Sequence, residues 1–228
     1  MLDARLSLAF DLYDECCLAA DIGTDHAYLP SGLLLSGRCR KMILTDISPD
    51  ALKNAQREII RRRLSDRAEL RLGDGLLPLQ EKCDMISVLG MGGRTVRHIL
   101  LSGSDRLQGA KLLLSAHTDL PQVREAVMLC GYHLVSETPC FSNGRFYLLL
   151  RADEGSEQLS PQELRLGKKL FSDQSKDLLP YLIRRRDVLS EKLAGLEIAA
   201  DKNTSMIRQV QEDIDCYDRF IRQKRLAE

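Results

Sequence analysis

The chain has no tryptophan, and only 5% of its 228 residues are aromatic. That scarcity argues against a platform on which successive unpaired bases stack. It also lacks any excess of charge: 33 Lys and Arg stand against 33 Asp and Glu, so a nucleic-acid surface has to come from local clustering. No uncharged run approaches the ~20 residues of a membrane helix. The N-terminal segment, with Asp3, Arg5, Asp11, Asp14 and Glu15, has no apolar signal core. A soluble cytoplasmic protein is expected, with no membrane association and no obligate protein partner. The seven cysteines form no C-x-x-C pair, and His98, His117 and His133 show no ligand spacing. No metal is therefore expected, and the thiols read as small buried hydrophobes in a reducing compartment. A dinucleotide fingerprint, G-x-G-x-x-G, is missing too.

What is present before about residue 152 is alternation. Short apolar runs predict strands at 18–22, 41–45, 68–72, 84–89, 111–115, 132–137 and 146–151, with helices at 28–35, 49–63, 93–101 and 120–130 between them. Such alternation implies right-handed crossovers and a largely parallel α/β sheet. No helix joins the last two strands, so that pair is expected to be an antiparallel hairpin. Ser48-Pro49 predicts a capped helix start, Thr118 or Asp119 a second, and Gly131 a helix stop.

Residues 153–158 read as a polar linker. Beyond it, Leu179, Leu182, Leu189, Leu193 and Leu196 follow three- and four-residue steps with Arg186 as the misfit. Ile207, Val210, Ile214, Tyr217 and Ile221 repeat the steps. Asp201-Lys202-Asn203-Thr204 supplies turn and cap residues between them. The pattern predicts an antiparallel coiled-coil hairpin.

The chemistry concentrates at the expected carboxyl edge of the sheet, where open α/β sheets bind ligands. The turn Ala20-Asp21-Ile22-Gly23-Thr24-Asp25-His26-Ala27-Tyr28-Leu29-Pro30 has a single glycine. Asp21 ends the first strand and Asp46, beside Ile47, ends the second, where a carboxylate accepts hydrogen bonds from ribose hydroxyls. Gly73-Asp74-Gly75-Leu76 follows the third, with Asp74 an acceptor for an adenine amino group. Acids on three successive strands, without a phosphate-binding glycine loop, suit S-adenosylmethionine, which is cationic and carries no phosphate, better than NAD. Gly90-Met91-Gly92-Gly93 follows the fourth strand and leaves room for a substrate plane. Asp25 and His26 are the acid–base candidates, and His117 lies near the cleft mouth. Lys53, Arg57, Arg61, Arg62, Arg63, Arg67 and Arg71 form one basic cluster and Arg184, Arg185 and Arg186 another; together, flanking a cleft, they would suit a phosphate backbone.

The string Asp21-Ile22-Gly23-Thr24-Asp25-His26-Ala27-Tyr28-Leu29-Pro30, with Gly73-Asp74-Gly75-Leu76, Gly90-Met91-Gly92-Gly93 and the early Arg5-Leu6, resembles the bacterial tRNA (adenine-22-N1)-methyltransferases. The resemblance covers nearly the whole chain. It implies a Rossmann-like class I methyltransferase domain over 1–152 and a helical coiled-coil domain over 159–228 that helps to grip tRNA. It implies cofactor binding by Asp21, Gly23, Asp46, Ile47, Asp74, Gly75 and Gly90. It places Asp25 and His26 at the target adenine, with Arg5, Tyr28, Met91, Gly92, Gly93 and His117 around the substrate. Two positions depart from the family pattern: Asp46 stands where a glutamate is expected, and Ser115-Ala116-His117 where some relatives carry Gln-Pro-Asn. The competing readings are a methyltransferase for another substrate, a nicotinamide-dependent oxidoreductase and a non-catalytic RNA-binding module.

Overall fold

Seven strands form one sheet in the order β3-β2-β1-β4-β5-β7-β6 in the computed structural model, which describes residues 2–199 and 203–227. They are β1 (Cys16–Ile22), β2 (Cys39–Asp46), β3 (Ala68–Leu72), β4 (Met85–Met91), β5 (Lys111–Ala116), β6 (Tyr132–Ser142) and β7 (Arg145–Glu154). β1 to β5 pair in parallel, while β7 runs antiparallel to β5 and to β6. The expected closing hairpin is present and longer than its apolar runs suggested. Pro139 lies within β6, and the turn is the two-residue Asn143-Gly144, a dipeptide suited to tight hairpins.

Alternate strand residues feed two cores. Ala20, Ile22, Leu112 and Leu114 face one layer; Ala19, Leu44 and Leu113 face the other. The second layer holds α1 (Ala4–Asp11), α2 (Tyr28–Leu35) and α3 (Pro49–Arg61), through Ala9, Leu33 and Ile59. The first holds α4 (Gly93–Ser102) and α5 (Leu120–Leu129), through Val96 and Val127. The Ser48 hydroxyl accepts from Ala51 N at the start of α3, as expected. At α5 the expected cap does not form: Asp119 adopts a left-handed backbone and its carboxylate accepts from the Thr118 hydroxyl instead. α1 had no apolar signature strong enough to announce it. Asp3 caps it by accepting from Leu6 N at 2.8 Å, and it carries Arg5 to the sheet's carboxyl edge.

The segment expected to be a linker is tied down. β7 continues to Glu154, and Glu157 accepts from Leu134 N at 3.1 Å while pairing with Lys168 at 2.9 Å. After it come α6 (Pro161–Leu166), α7 (Leu178–Ile198) and α8 (Thr204–Ala227). Leu166, Leu178, Leu182, Tyr217 and Ile221 belong to the same core as β4 and β5. Farther out, Leu189, Leu193 and Leu196 are only half-buried. The misfit Arg186 is explained: it pairs across the two long helices with Asp218 at 3.2 Å. Asn203 accepts from Met206 N at 3.0 Å and so caps α8, whereas Asp201 and Lys202 lie outside the described residues. All seven cysteines are free thiols; Cys39, Cys83, Cys140 and Cys216 are buried, but Cys17 is exposed.

Candidate active site

Strand order reverses between β1 and β4, and a cleft of about 310 Å³ opens there at the carboxyl edge. Its walls include Asp21, Gly23, Asp25, His26, Tyr28, Gly90 and Arg5. A larger cavity, about 680 Å³, lies at the opposite edge among Asp14, Cys17 and Lys111. That edge holds none of the convergent rim groups, so position in the topology outweighs size.

Asp21 forms the floor of the cleft and is 9% exposed. Ser87 donates its hydroxyl to one carboxylate oxygen at 2.6 Å, and the Thr24 hydroxyl bonds the other. Tyr13 in turn donates to Ser87 at 2.9 Å. Burial raises the Asp21 pKa; the Ser87 and Thr24 hydroxyls and the Arg5 charge oppose the rise, and Asp46 adds to it. A carboxyl whose pKa is higher folded than unfolded costs stability as pH climbs from its unfolded value near ~4. Asp21→Asn is therefore expected to melt higher than wild type at pH 7–8, with the gap closing towards pH 4, while methyl-donor affinity falls at least about tenfold. Paired melting curves and calorimetry check this. A pH-independent loss of stability would show that burial of the charge is not the cost.

The turn after β1 shows why a pyrophosphate does not belong here. Gly23 has φ +78°, and the space a Cβ would fill is occupied by the Met91 methyl group. Gly23 N and Thr24 N both donate to the Thr45 carbonyl, at 2.7 and 3.0 Å, so neither N–H is open to a phosphate. Beside the turn the acids gather. Asp46 accepts from Ser48 N at 2.7 Å through Oδ1, leaving Oδ2 free for a ligand. Asp74 is exposed, with His98 at 3.9 Å. Ile47, next to Asp46 in the chain, is 69% exposed and offers an apolar face at that edge. A negative rim with an apolar platform fits a sulfonium nucleoside, and the residues present fit S-adenosylmethionine on those grounds.

Asp25 and His26 are brought together in the open, His26 Nε2 lying 3.2 Å from Asp25 Oδ2. The imidazole stacks on Tyr28 with centroids 5.3 Å apart. Asn54, from α3, donates to Asp25 Oδ1 at 3.1 Å, and Arg57 donates to the Asn54 carbonyl at 3.0 Å. Across the cleft, Gly90 is the extra residue of an irregularity between β4 and β5, and its carbonyl lies 3.0 Å from His117 Nε2. Arg5 packs against Gly90 and lies over the Tyr147 ring at 5.2 Å. Gly92 caps α4 near Thr118.

Two expectations need correction. Gly93 does not line the cleft: it is buried, and a Cβ there would run into the Thr118 and Asp119 carbonyls, so its small size serves packing of α4 on the next loop. Arg61, Arg62 and Arg63 do not flank the cleft. α3 starts at the rim and runs 13 residues, about 20 Å, to the far edge. There Arg61 and Arg62 both bind Glu58, at 2.7–2.9 Å. Sequence reasoning missed Asn54, Tyr147 and Arg145, which nothing local marks, and Ser87. Ser87 did leave a signal, a hydroxyl inside the otherwise apolar run Met85 to Leu89.

These features define a class I methyltransferase fold with an acid-lined cleft at the switch point. The family model described as tRNA (adenine(22)-N(1))-methyltransferase matches residues 19–218. A Bacillus subtilis protein of that name is 26% identical over 229 residues, covering 100% of this chain and 93% of its own. The crystal structure of the B. subtilis m1A22 tRNA methyltransferase superposes with a TM-score of 0.85 at 25% identity, covering 97% of this chain and 99% of that one. An M. capricolum relative, solved in complex with the natural cofactor product S-adenosyl-homocysteine, superposes at 0.80 with 23% identity, covering 97% and 98%. The chain belongs to the tRNA (adenine(22)-N(1))-methyltransferase family. Among the described residues, no group of His, Cys, Asp and Glu is placed to hold a metal, and no helix is long and apolar enough to cross a membrane.

Proposed function

We propose that the cleft carries out the family's reaction, transfer of a methyl group from S-adenosylmethionine to N1 of adenine 22 in a tRNA, with the labour divided as follows. S-adenosylmethionine supplies an electrophilic methyl group on a sulfonium. Asp46, Ile47, Asp74 and Gly75 hold its nucleoside, and Asp21, Gly23 and Gly90 border the rest of it. Asp21 keeps the turn in shape through Ser87 and Thr24 and contributes the negative charge that complements a cation.

Adenine N1 already has an in-plane lone pair, so no base has to remove a proton first. Alignment of the ring is then the main requirement. The product ring is cationic, and a carboxylate facing its N6 amino group offsets that charge as it develops. Asp25 has that role. Its two oxygens are fixed by Asn54 and His26, and His26 rests on Tyr28. A base inside a tRNA helix has to leave the stack to reach this depth. Arg5, Met91, Gly92 and His117 border the space it enters.

Residues 1–152 carry methyl transfer and 159–228 help to hold the tRNA, a division of labour within one shared core. The enzyme works in the cytoplasm, with its substrate. The single observation that carries the assignment is the set of acids at or just beyond the ends of three neighbouring strands, Asp21, Asp46 and Asp74, with an exposed Asp25 in the same cleft as Asp21. Incubation with unmodified tRNA and methyl donor, followed by nucleoside mass spectrometry, tests it. 1-Methyladenosine at position 22 is expected; methylation elsewhere, or none, overturns it.

A further inference from the structure

From the cleft mouth outward, the fold gathers cations that make no ion pair among the described residues, although the Arg5 charge acts on Asp21. Tyr147, on β7, is buried, and two guanidiniums lie over its ring: Arg5 at 5.2 Å and Arg145 at 5.5 Å. His117 meets the same ring edge-on at 5.7 Å. A groove of about 370 Å³ then continues between the β6–β7 hairpin and α7, with His117, Arg145, Arg184 and Arg185 among its walls.

Among the described residues Arg5, Arg145 and Arg185 make no ion pair, and Arg184 reaches Glu191 only at 3.9 Å with both side chains exposed. Arg185 is the telling one. It is half-buried beside the Tyr181 and Tyr217 phenols, with Tyr217 as its polar neighbour and, among the described residues, no carboxylate within ion-pair distance. A cation withdrawn from water without a counter-charge is costly unless an anion arrives from outside. At the far edge of the sheet four cations are paired with acids. Glu58 neutralises Arg61 and Arg62, and Asp14 pairs with Lys111 at 2.6 Å and Arg151 at 2.8 Å.

We propose that Arg5, Arg145, Arg184 and Arg185, organised on Tyr147, form a track for the phosphodiester backbone that flanks the target adenosine. The tRNA strand leaves the cleft past His117 and runs between the β6–β7 hairpin and α7. Tyr147 acts as a positioning residue, since its ring sets where the Arg5 and Arg145 guanidiniums stand. This inference rests on tRNA being the substrate. The hairpin and α7 are brought together only in the fold, and the sequence clusters at 61–63 and 184–186 gave no hint that one of them serves phosphate and the other does not.

The test uses the full chain and an unmodified tRNA transcript. Arg145→Gln with Arg184→Gln changes two exposed side chains and should leave the melting temperature and the methyl-donor affinity as they are. The tRNA KM is expected to rise at least about tenfold with kcat at saturating tRNA preserved, and the slope of log binding constant against log salt to become shallower by about 1.5. Tyr147→Phe keeps the ring and should behave as wild type, whereas Tyr147→Leu should raise KM. Arg62→Gln with Arg63→Gln, at the far edge, should leave both KM and slope unchanged. An unaltered slope in the first variant overturns the track. A wild-type protein that binds methyl donor but leaves tRNA unmethylated overturns the substrate itself, and the two failures are told apart by that wild-type control.

Discussion

Asp25→Ala should lower kcat by about 10²–10³ and leave the methyl-donor dissociation constant unchanged in calorimetry. The size follows from where the charge acts. Without RNA, Asp25 is exposed and water screens it. An adenine seated against it displaces that water, and the carboxylate then faces a ring that turns cationic only as the methyl arrives. An interaction that strengthens towards the transition state appears in kcat, not in ground-state binding. Asp25→Asn keeps the shape and hydrogen-bonding atoms but loses the charge, so most of the loss should remain. Asn54→Ala leaves the charge and removes one of its two anchors, and a smaller drop of about fivefold is expected, the worth of one net hydrogen bond. This ordering distinguishes charge from position. Equal losses in Asp25→Asn and Asn54→Ala would mean that geometry alone matters. Full activity in Asp25→Ala would remove the residue from the mechanism.

The sheet was legible because its strands are apolar runs separated by amphipathic helices, and because Ser48-Pro49 and Gly131 mark a helix start and a helix stop. The rim acids were legible for a related reason: residues at or just past the end of a parallel strand lie at the carboxyl edge, so topology alone brings Asp21, Asp46 and Asp74 to that edge. What stayed hidden depends on contacts between distant segments. Asn54 reaches Asp25 across 29 positions, and Arg5 reaches Tyr147 across more than half the chain. The Arg61–Arg63 cluster misled because charge density in sequence says nothing about which end of a helix points at the ligand; thirteen residues of α3 carry it to the wrong edge. Gly93 misled because a glycine wanted for close packing and one wanted for ligand access have the same one-letter code. The polar stretch 153–158 looked free because its anchors, Leu134 N and Lys168, are supplied by other elements.

One such hidden contact has the largest expected effect on stability. Arg124 and Glu137 are almost fully buried, joined by Nε to Oε1 at 2.7 Å. Neither partner is satisfied by the other alone. Arg124 also donates to the Leu164 carbonyl at 2.7 Å, and Glu137 Oε2 accepts from Lys169 N at 3.0 Å. A Cβ at Gly167 would stand 2.7–2.8 Å from both charged groups, so the chain between α6 and the following turn is pressed directly onto the pair. The ion pair therefore fastens the C-terminal helices to α5 and β6. Glu137→Gln leaves a buried guanidinium uncompensated, which costs ~3–5 kcal/mol. For a chain of this length that is a fall in melting temperature of about 6–20 °C. A buried pair is often replaceable by apolar residues at no cost. Here Arg124→Met with Glu137→Leu should remain destabilised, because the Leu164 carbonyl and Lys169 N–H lose their partners at ~1–3 kcal/mol each. Cutting the chain after residue 152 should be worse still, since it strips Leu166, Leu178, Leu182 and Tyr217 from the core they share with Leu134 and Leu150. Melting curves and limited proteolysis of both variants check the fastening: early cleavage within 155–177 is expected. A doubly apolar variant as stable as the wild type would show that the pair holds nothing together.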